Sequence, residues 1–490
     1  MVLACVGGVA GACGGGGGSG PAGNGGSGSG LGTAGGGGGN PPPPSCGSQP
    51  FQPPTGGRTF YVAPNGSDSA AGTMAAPFRT MDKAAGVAGG GDVVYLRDGV
   101  YNHAEDISAS GDAGNPVVFM AYPGEHPILD GDGLGLGTSD SLLQLYQPEH
   151  VVIAGIELRN STGRGVQLID GDDVVIRDCT IHDVAMKALG LNGNNLVAEG
   201  NVIYNAVMSN RNSTAGGGWA SGVTTQLQED GSPSRNVTVR GNLIHDVWGE
   251  CVDALFVDGM TIVGNDVRDC FSVALYVDTA RSIRVEGNIV RAINPMYRRD
   301  GNGKLADGIL MGAEAGDGSA PNFGADDVII ANNIILGTNT GVGWWDDDSN
   351  SRASNTYQRA QIVSNVIWGT TQSAIMFDPV PSGRTAPSAT LTNNIIYEGA
   401  NGTALQIGNA AAWTITANLF PDGKPAAASD ASNITGDPLL TAPALAAAAE
   451  AFRPSPTSPA RHAGRPVTAV PLDYACATRG TTNTTIGAFE

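Results

Sequence analysis

The chain has 490 residues with 74 Gly, 29 Pro and 6% aromatic residues, a length that admits two or three domains. Its 46 acidic against 26 basic residues give a net charge of -20, which argues against a nucleic-acid binder, because a polyphosphate would be repelled wherever no cation or basic patch intervened. No run of about 20 apolar residues is present that would cross a membrane as a helix.

The first residues, MVLACVGGVAGAC, resemble the tail of a secretion signal. Cys5 or Cys13, each preceded by small or apolar residues, resembles the acylation site of a bacterial lipoprotein, which implies a secreted or cell-surface protein, tethered to a membrane such as the outer membrane through a lipidated cysteine. Residues 1–57 are rich in Gly, Ser and Pro and offer too few apolar side chains to offset the entropy of ordering them, so they read as a disordered tether. Folding is expected in residues 58–130 (an N-terminal cap and the first coils), 131–420 (a repetitive body) and 421–490 (a C-terminal cap). The seven cysteines match no zinc spacing. Cys179, Cys251 and Cys270 fall in periodic apolar segments and read as core residues, whereas Cys46 and Cys476 flank the folded region at positions that suit a single clasp.

The body is an internal repeat. VVIAGIEL (151–158), VVIRDCTI (174–181), LVAEGNVI (196–203), VTVRGNLI (237–244), MTIVGNDV (260–267), IRVEGNIV (283–290), VIIANNII (328–335), AQIVSNVI (360–367), ATLTNNII (389–396) and WTITANLF (413–420) align. The steps between equivalent positions, from Ile156 through Asn201 to Asn418, are 23, 22, 41, 23, 23, 45, 32, 29 and 24 residues, a base period of about 23 with two long insertions. Each unit alternates β-branched and polar residues, turns at Gly, Asn or Asp, and continues into a second short strand such as GVQLI, CVDAL or ALYV. Strands this short bury a face only by stacking, so the fold predicted is an all-β parallel β-helix solenoid of ten or more coils. The recurring Asn, from Asn201 to Asn418, is predicted to form an internal ladder between coils.

These features, with the N-terminal FYVAPNGSDSAAGTMAAPFRTMDKAAGVAGGGDVVYLRDGVY (60–101), resemble the right-handed parallel β-helix proteins of the pectate-lyase-like superfamily. The resemblance implies a short capping helix over Met81 to Ala88, a terminal strand in TTIGAFE (484–490), and a monomer that acts on or binds a polysaccharide.

Chemistry on a solenoid sits on an outward row of positions, walled by insertions. The two long steps contain NAVMSNRNSTAGGGWA (205–220) and AINPMYRRDGNGKLA (292–306), both between the repeated strand and the second one. Aligning the second strands puts Lys187, Ser221, Glu250, Val273, Asp307 and Thr340 in one column and Gly190, Thr224, Asp253, Tyr276, Leu310 and Gly343 in another. The first reading is a lyase that cleaves an acidic polysaccharide by calcium-assisted elimination, with Lys187 or Arg299 as base, because the reaction needs the uronate carboxylate neutralised and a base for the C5 proton. Glu250, Asp253, Asp307, Asp346 and Asp347 are the candidate ligands for Ca2+. His245, Trp219, Trp248, Tyr276, Arg298, Trp344 and Trp345 are the candidate substrate-binding residues. A glycoside hydrolase using Glu250, Asp253 and Asp307 as acid and base is the second reading. A non-catalytic surface protein that binds glycans is the third.

Overall fold

The computed structural model describes residue 46 and residues 51–211, 219–299, 303–314, 321–345 and 352–490. Among the described residues, parallel strands stack into three sheets of 14, 13 and 11 strands, the parallel β-helix that the repeat predicts and, with the family resemblance, a right-handed one. One coil shows the pattern: Glu149–Ala154 lies in the first sheet, Glu157–Ser161 in the second and Arg164–Ile169 in the third. The next coil restarts at Gly171–Arg177, where Val174 pairs with Val151 and Ile176 with Ile153. Alternation sends those Val and Ile side chains inward, where they are fully buried, each worth about 1.5–3 kcal/mol of transfer free energy.

The corner between the first and second sheets explains the repeated Gly-Asn pair. Gly200, Gly241, Gly264 and Gly287 have φ of +62° to +66°, and Asn332, Ser364, Asn393 and Ala417 take the same left-handed conformation. That residue reverses the chain, and the Asn after it turns its side chain into the solenoid. Asn201 donates through Nδ2 to Asn242 Oδ1 at 3.0 Å, and the series continues through Asn265, Asn288, Asn333, Asn365, Asn394 and Asn418. It runs one step beyond the predicted ladder, to Asn433. Each Oδ1 also accepts from the backbone N–H of the preceding Asn, so the buried amides are satisfied.

Several details differ from expectation. The capping helix is only Met81–Ala85: Gly86 ends it, and Gly89 to Gly91 offer no helical continuation. Thr80 caps its N-terminus, and Glu105 accepts from the backbone N–H groups of Met81 and Asp82. Cys251 and Cys270 are buried as predicted but form a disulfide, because the end of one second-sheet strand lies beside the start of the preceding coil's third-sheet strand, with Cα atoms 5.6 Å apart. Cys46 and Cys476 form the clasp, and Cys179 stays buried and unpaired. TTIGAFE is buried but not a strand; its Glu490 carboxylate accepts from Thr484 and Thr485.

The C-terminal segment does more than close an end. Phe452, Ala460, Tyr474, Ile486 and Phe489 pack on Ile289, Ile334, Val366, Ile395 and Leu419, outward residues of the second sheet. Val467 and Val470 cover Ala331 and Val363 on the first sheet. The third sheet is flanked by excursions instead.

Candidate functional site

Strand pairing confirms both predicted columns on the outer face of the third sheet. Gly190, Thr224, Asp253, Tyr276, Leu310 and Gly343 are consecutive register partners. In the neighbouring row Val273 pairs with Asp307, and the backbone bonds Gly165 N–H to Lys187 O and Gly222 N–H to Glu250 O carry the same register. The predicted insertions flank one border of this sheet. The two long steps are in fact divided, because residues 226–233, and likewise 313–314 and 321–324, lie outside the sheet at its opposite border. Glu314 comes from that second wall, which the 45-residue step concealed by lumping two excursions together.

Glu250 and Asp253 meet over Ser221. Trp219 Nε1 donates to Glu250 Oε1 at 3.0 Å, Ser221 Oγ lies 3.0 Å from Glu250 Oε2 and 3.3 Å from Asp253 Oδ2, and Thr224 Oγ1 lies 3.5 Å from Asp253 Oδ2. A hydroxyl carries one proton. Ser221 can donate to only one of its two carboxyls, and Thr224 already donates to the carbonyl of Thr225 at 2.8 Å. The arrangement is therefore best satisfied with Ser221 donating to Glu250 and Asp253 carrying its own proton. Burial pushes the Glu250 carboxyl up to about 7, helped by the charge of Glu314 and opposed by the Trp219 and Ser221 bonds. Burial likewise raises Asp253 well above the carboxylate range, and Glu250, Asp278 and Glu314 add to it. Tyr276, beside Asp253, donates its hydroxyl to Glu314 and is held neutral mainly by burial.

Lys187 lies at the other end of the row. It is 5% exposed, and its Nζ has no hydrogen-bond partner among the described residues. Burial first, and the positive charge of Arg164 second, lower its amine to about 7, against a pull from Asp253. The repeat also carries Arg164, which precedes Gly165 as Lys187 precedes Ala188 and so stands one coil before Lys187 in the same row. Its Nη1 approaches Gln167 Oε1 at 3.4 Å.

Other candidates lie elsewhere. Asp307 is two coils from Glu250 and accepts from Asn339 Nδ2 at 2.9 Å and from Thr340 N–H at 3.0 Å, with Arg299 at 3.7 Å. Arg299 also donates to Ser272, so this pair anchors the second insertion to the sheet. Arg298 is exposed and donates to the carbonyl of Gly303. Trp248 is buried against Phe271 and Tyr297, which removes its faces from a ligand. Trp344 points inward, 1% exposed against Tyr357, and cannot stack on a sugar; Trp345 is half-buried. His245 belongs to the second sheet, away from the two columns, where its ring stacks parallel to Tyr204 and its Nδ1 bonds Asp246. Rings stacked along the solenoid cover one another's faces, so this ladder is not a sugar platform either.

Calcium held by Glu250, Asp253 and Asp307 does not fit this arrangement. Among the described residues no three Asp, Glu, His or Cys side chains are placed to hold an ion. Asp307 is engaged by its own neighbours, both Glu250 oxygens already accept hydrogen bonds, and Asp253 is placed to carry a proton. Asp346 and Asp347 lie outside the described residues.

Residues 60–242 match a family model described as Pel9A-like, right handed beta helix region, and residues 221–357 match one described as right handed beta helix region. The pectate lyase PEL9 of Emericella nidulans is 28% identical over 350 residues, covering 68% of this chain and 77% of that protein. The uncharacterized Bacillus subtilis protein YwoF is 31% identical over 105 residues, so the match spans 21% of this chain and 22% of that relative's length. The crystal structure of pectate lyase Pel9A superposes with a TM-score of 0.51 at 14% identity, covering 88% of this chain and 96% of that one, which is a likeness of fold.

Proposed function

We propose that this pectate-lyase-like right-handed β-helix protein is an exported, carbohydrate-active enzyme that cleaves a uronate-containing polysaccharide by β-elimination. The observation that carries the reading is the buried, unpartnered amine of Lys187, set between Arg164 and the Asp253 carboxyl. The pectate lyase relative supports polysaccharide cleavage, and two disulfides together with the N-terminal stretch support export.

In this mechanism Arg164 pairs with the uronate carboxylate and makes the C5 proton more acidic, the task that calcium would perform in a metal-assisted elimination. Neutral Lys187 takes that proton on Nζ. The C5–H electron pair becomes the C4–C5 double bond as the bond from C4 to the glycosidic oxygen breaks, and Asp253 delivers its proton to that leaving oxygen. Glu250 holds Ser221 and Trp219 in place and, through its charge, keeps Asp253 protonated.

The expected result is release of unsaturated uronate ends, read by their ultraviolet absorbance, at a rate unchanged by exhaustive chelation. The rate should rise with pH through about 7 as Lys187 loses its proton. Reducing ends without unsaturation would instead favour hydrolysis by Glu250 and Asp253. Loss of the rate on chelation, restored by added calcium, would overturn the role of Arg164.

A further inference from the structure

Resting on the elimination reading, we infer that the groove admits a uronate at one position only and seats an uncharged sugar beside it, so that the substrate is a heteropolysaccharide interspersing uronates with neutral residues. The ground is the order of charges along the third sheet. Arg164 and Lys187 occupy adjacent coils of one row. Ser221 and Thr224 follow, then Glu250 and Asp253, and then Tyr276 with Asp278 and Glu314. Coils repeat at about 4.8 Å, so the polarity reverses over roughly 10 Å, the distance from Lys187 to Glu250 along the row.

Two buried polar atoms mark this as a site and not merely an acidic cluster. Lys187 Nζ and Asp253 Oδ1 both lack a hydrogen-bond partner among the described residues, on side chains only 5% and 6% exposed. A carboxylated sugar fits at the first position, paired with the Arg164 guanidinium and beside the Lys187 amine. A second carboxylate over Asp253 and Glu314 would be stripped of water beside other acids. The cation on that flank, Arg299, is paired with Asp307. A neutral sugar has hydroxyls that donate to Asp253 Oδ1 and Glu314, whereas a uronate meets the charges of Glu250, Asp278 and Glu314 there.

The test uses the full-length protein on two panels: homopolymers of galacturonate, glucuronate and mannuronate, and polymers alternating those uronates with neutral hexose or deoxyhexose. Elimination is followed by ultraviolet absorbance. At least a tenfold higher kcat/KM on an alternating polymer than on any homopolymer is expected, with the gap narrowed in Glu314→Gln. Equal or better turnover of a homopolymer, turnover of no alternating polymer, or a well-folded Glu314→Gln with an unchanged ratio overturns the inference and leaves the elimination reading standing. Hydrolytic products in place of unsaturated ends overturn the elimination reading itself.

Discussion

Lys187→Met is expected to melt at a higher temperature than the wild type while losing about 10²–10⁴ of its elimination rate, the usual worth of a general base. The amine is buried without a hydrogen-bond partner, and its pKa falls from 10.5 to about 7 on folding. Between those values the unfolded chain binds more protons than the folded one. Stability therefore rises with pH from about 7 to 10.5, and the penalty is present in full below about 7. A tenfold loss of proton affinity corresponds to about 1.4 kcal/mol, so the charged amine costs on the order of 3–5 kcal/mol at pH 6. Methionine has a similar volume and no charge, and should recover about 1–4 kcal/mol of this. Thermal melts at pH 6 and pH 9 check it: the advantage of the variant over the wild type should shrink between them. A variant less stable than the wild type at pH 6 would show that Lys187 has a stabilising partner, and the base assignment would fall with it.

Asn288→Ala is expected to be the most damaging single change in the body of the solenoid, at about 4–6 kcal/mol from unsatisfied buried groups and the cavity. Asn288 Oδ1 accepts from both the backbone N–H and Nδ2 of Asn265, while its own Nδ2 donates to the carbonyl of Ile262 and to Asn333 Oδ1. Alanine removes all four of these bonds in an interior where Asn265, Asn288 and Asn333 are 0% exposed; Asn333 Oδ1 keeps the Asn288 backbone N–H, whereas the Asn265 N–H loses its acceptor. Because each coil contacts only its neighbours, the break should also divide the unfolding transition, which lowers the denaturant m-value. Asn433→Ala, at the end of the ladder, has coils on one side only and should cost less. Equal losses at the two sites in urea titrations would show that the ladder contributes no cooperativity.

The columns of the candidate site were legible from alignment alone. A period of 23 puts Lys187, Ser221, Glu250 and Asp307 in one row and Thr224, Asp253 and Tyr276 in the next, and pairing bears this out. Trp344 was legible too: once Gly343 faces outward, a period of two sends its neighbour inward. The sugar-binding role expected of Trp344 conflicts with that parity. Glu314 was hidden because a step between two ladder residues gives the sum of its excursions and not their division between the two borders. Which carboxyl carries a proton depends on where the Ser221 and Thr224 hydroxyls donate, and no spacing encodes that.

The sequence by itself determined the architecture. In a solenoid, residues one period apart are spatial neighbours, so a one-dimensional repeat dictates strand pairing, the asparagine ladder and the identity of each row. Only the tertiary structure decided which rows are open. The later coils of the second sheet are covered by residues from far downstream, as where Arg291 meets the carbonyl of Ala447, and Ala331 and Val363 of the first by the segment that ends in the Cys46–Cys476 clasp. Such contacts lie outside the repeat and leave no periodic trace. The same holds for the metal: acids that share a row on paper diverge in space once Asp307 is held by Arg299 and Asn339. What remains beside Lys187 is a proton-bearing pair rather than a set of ligands.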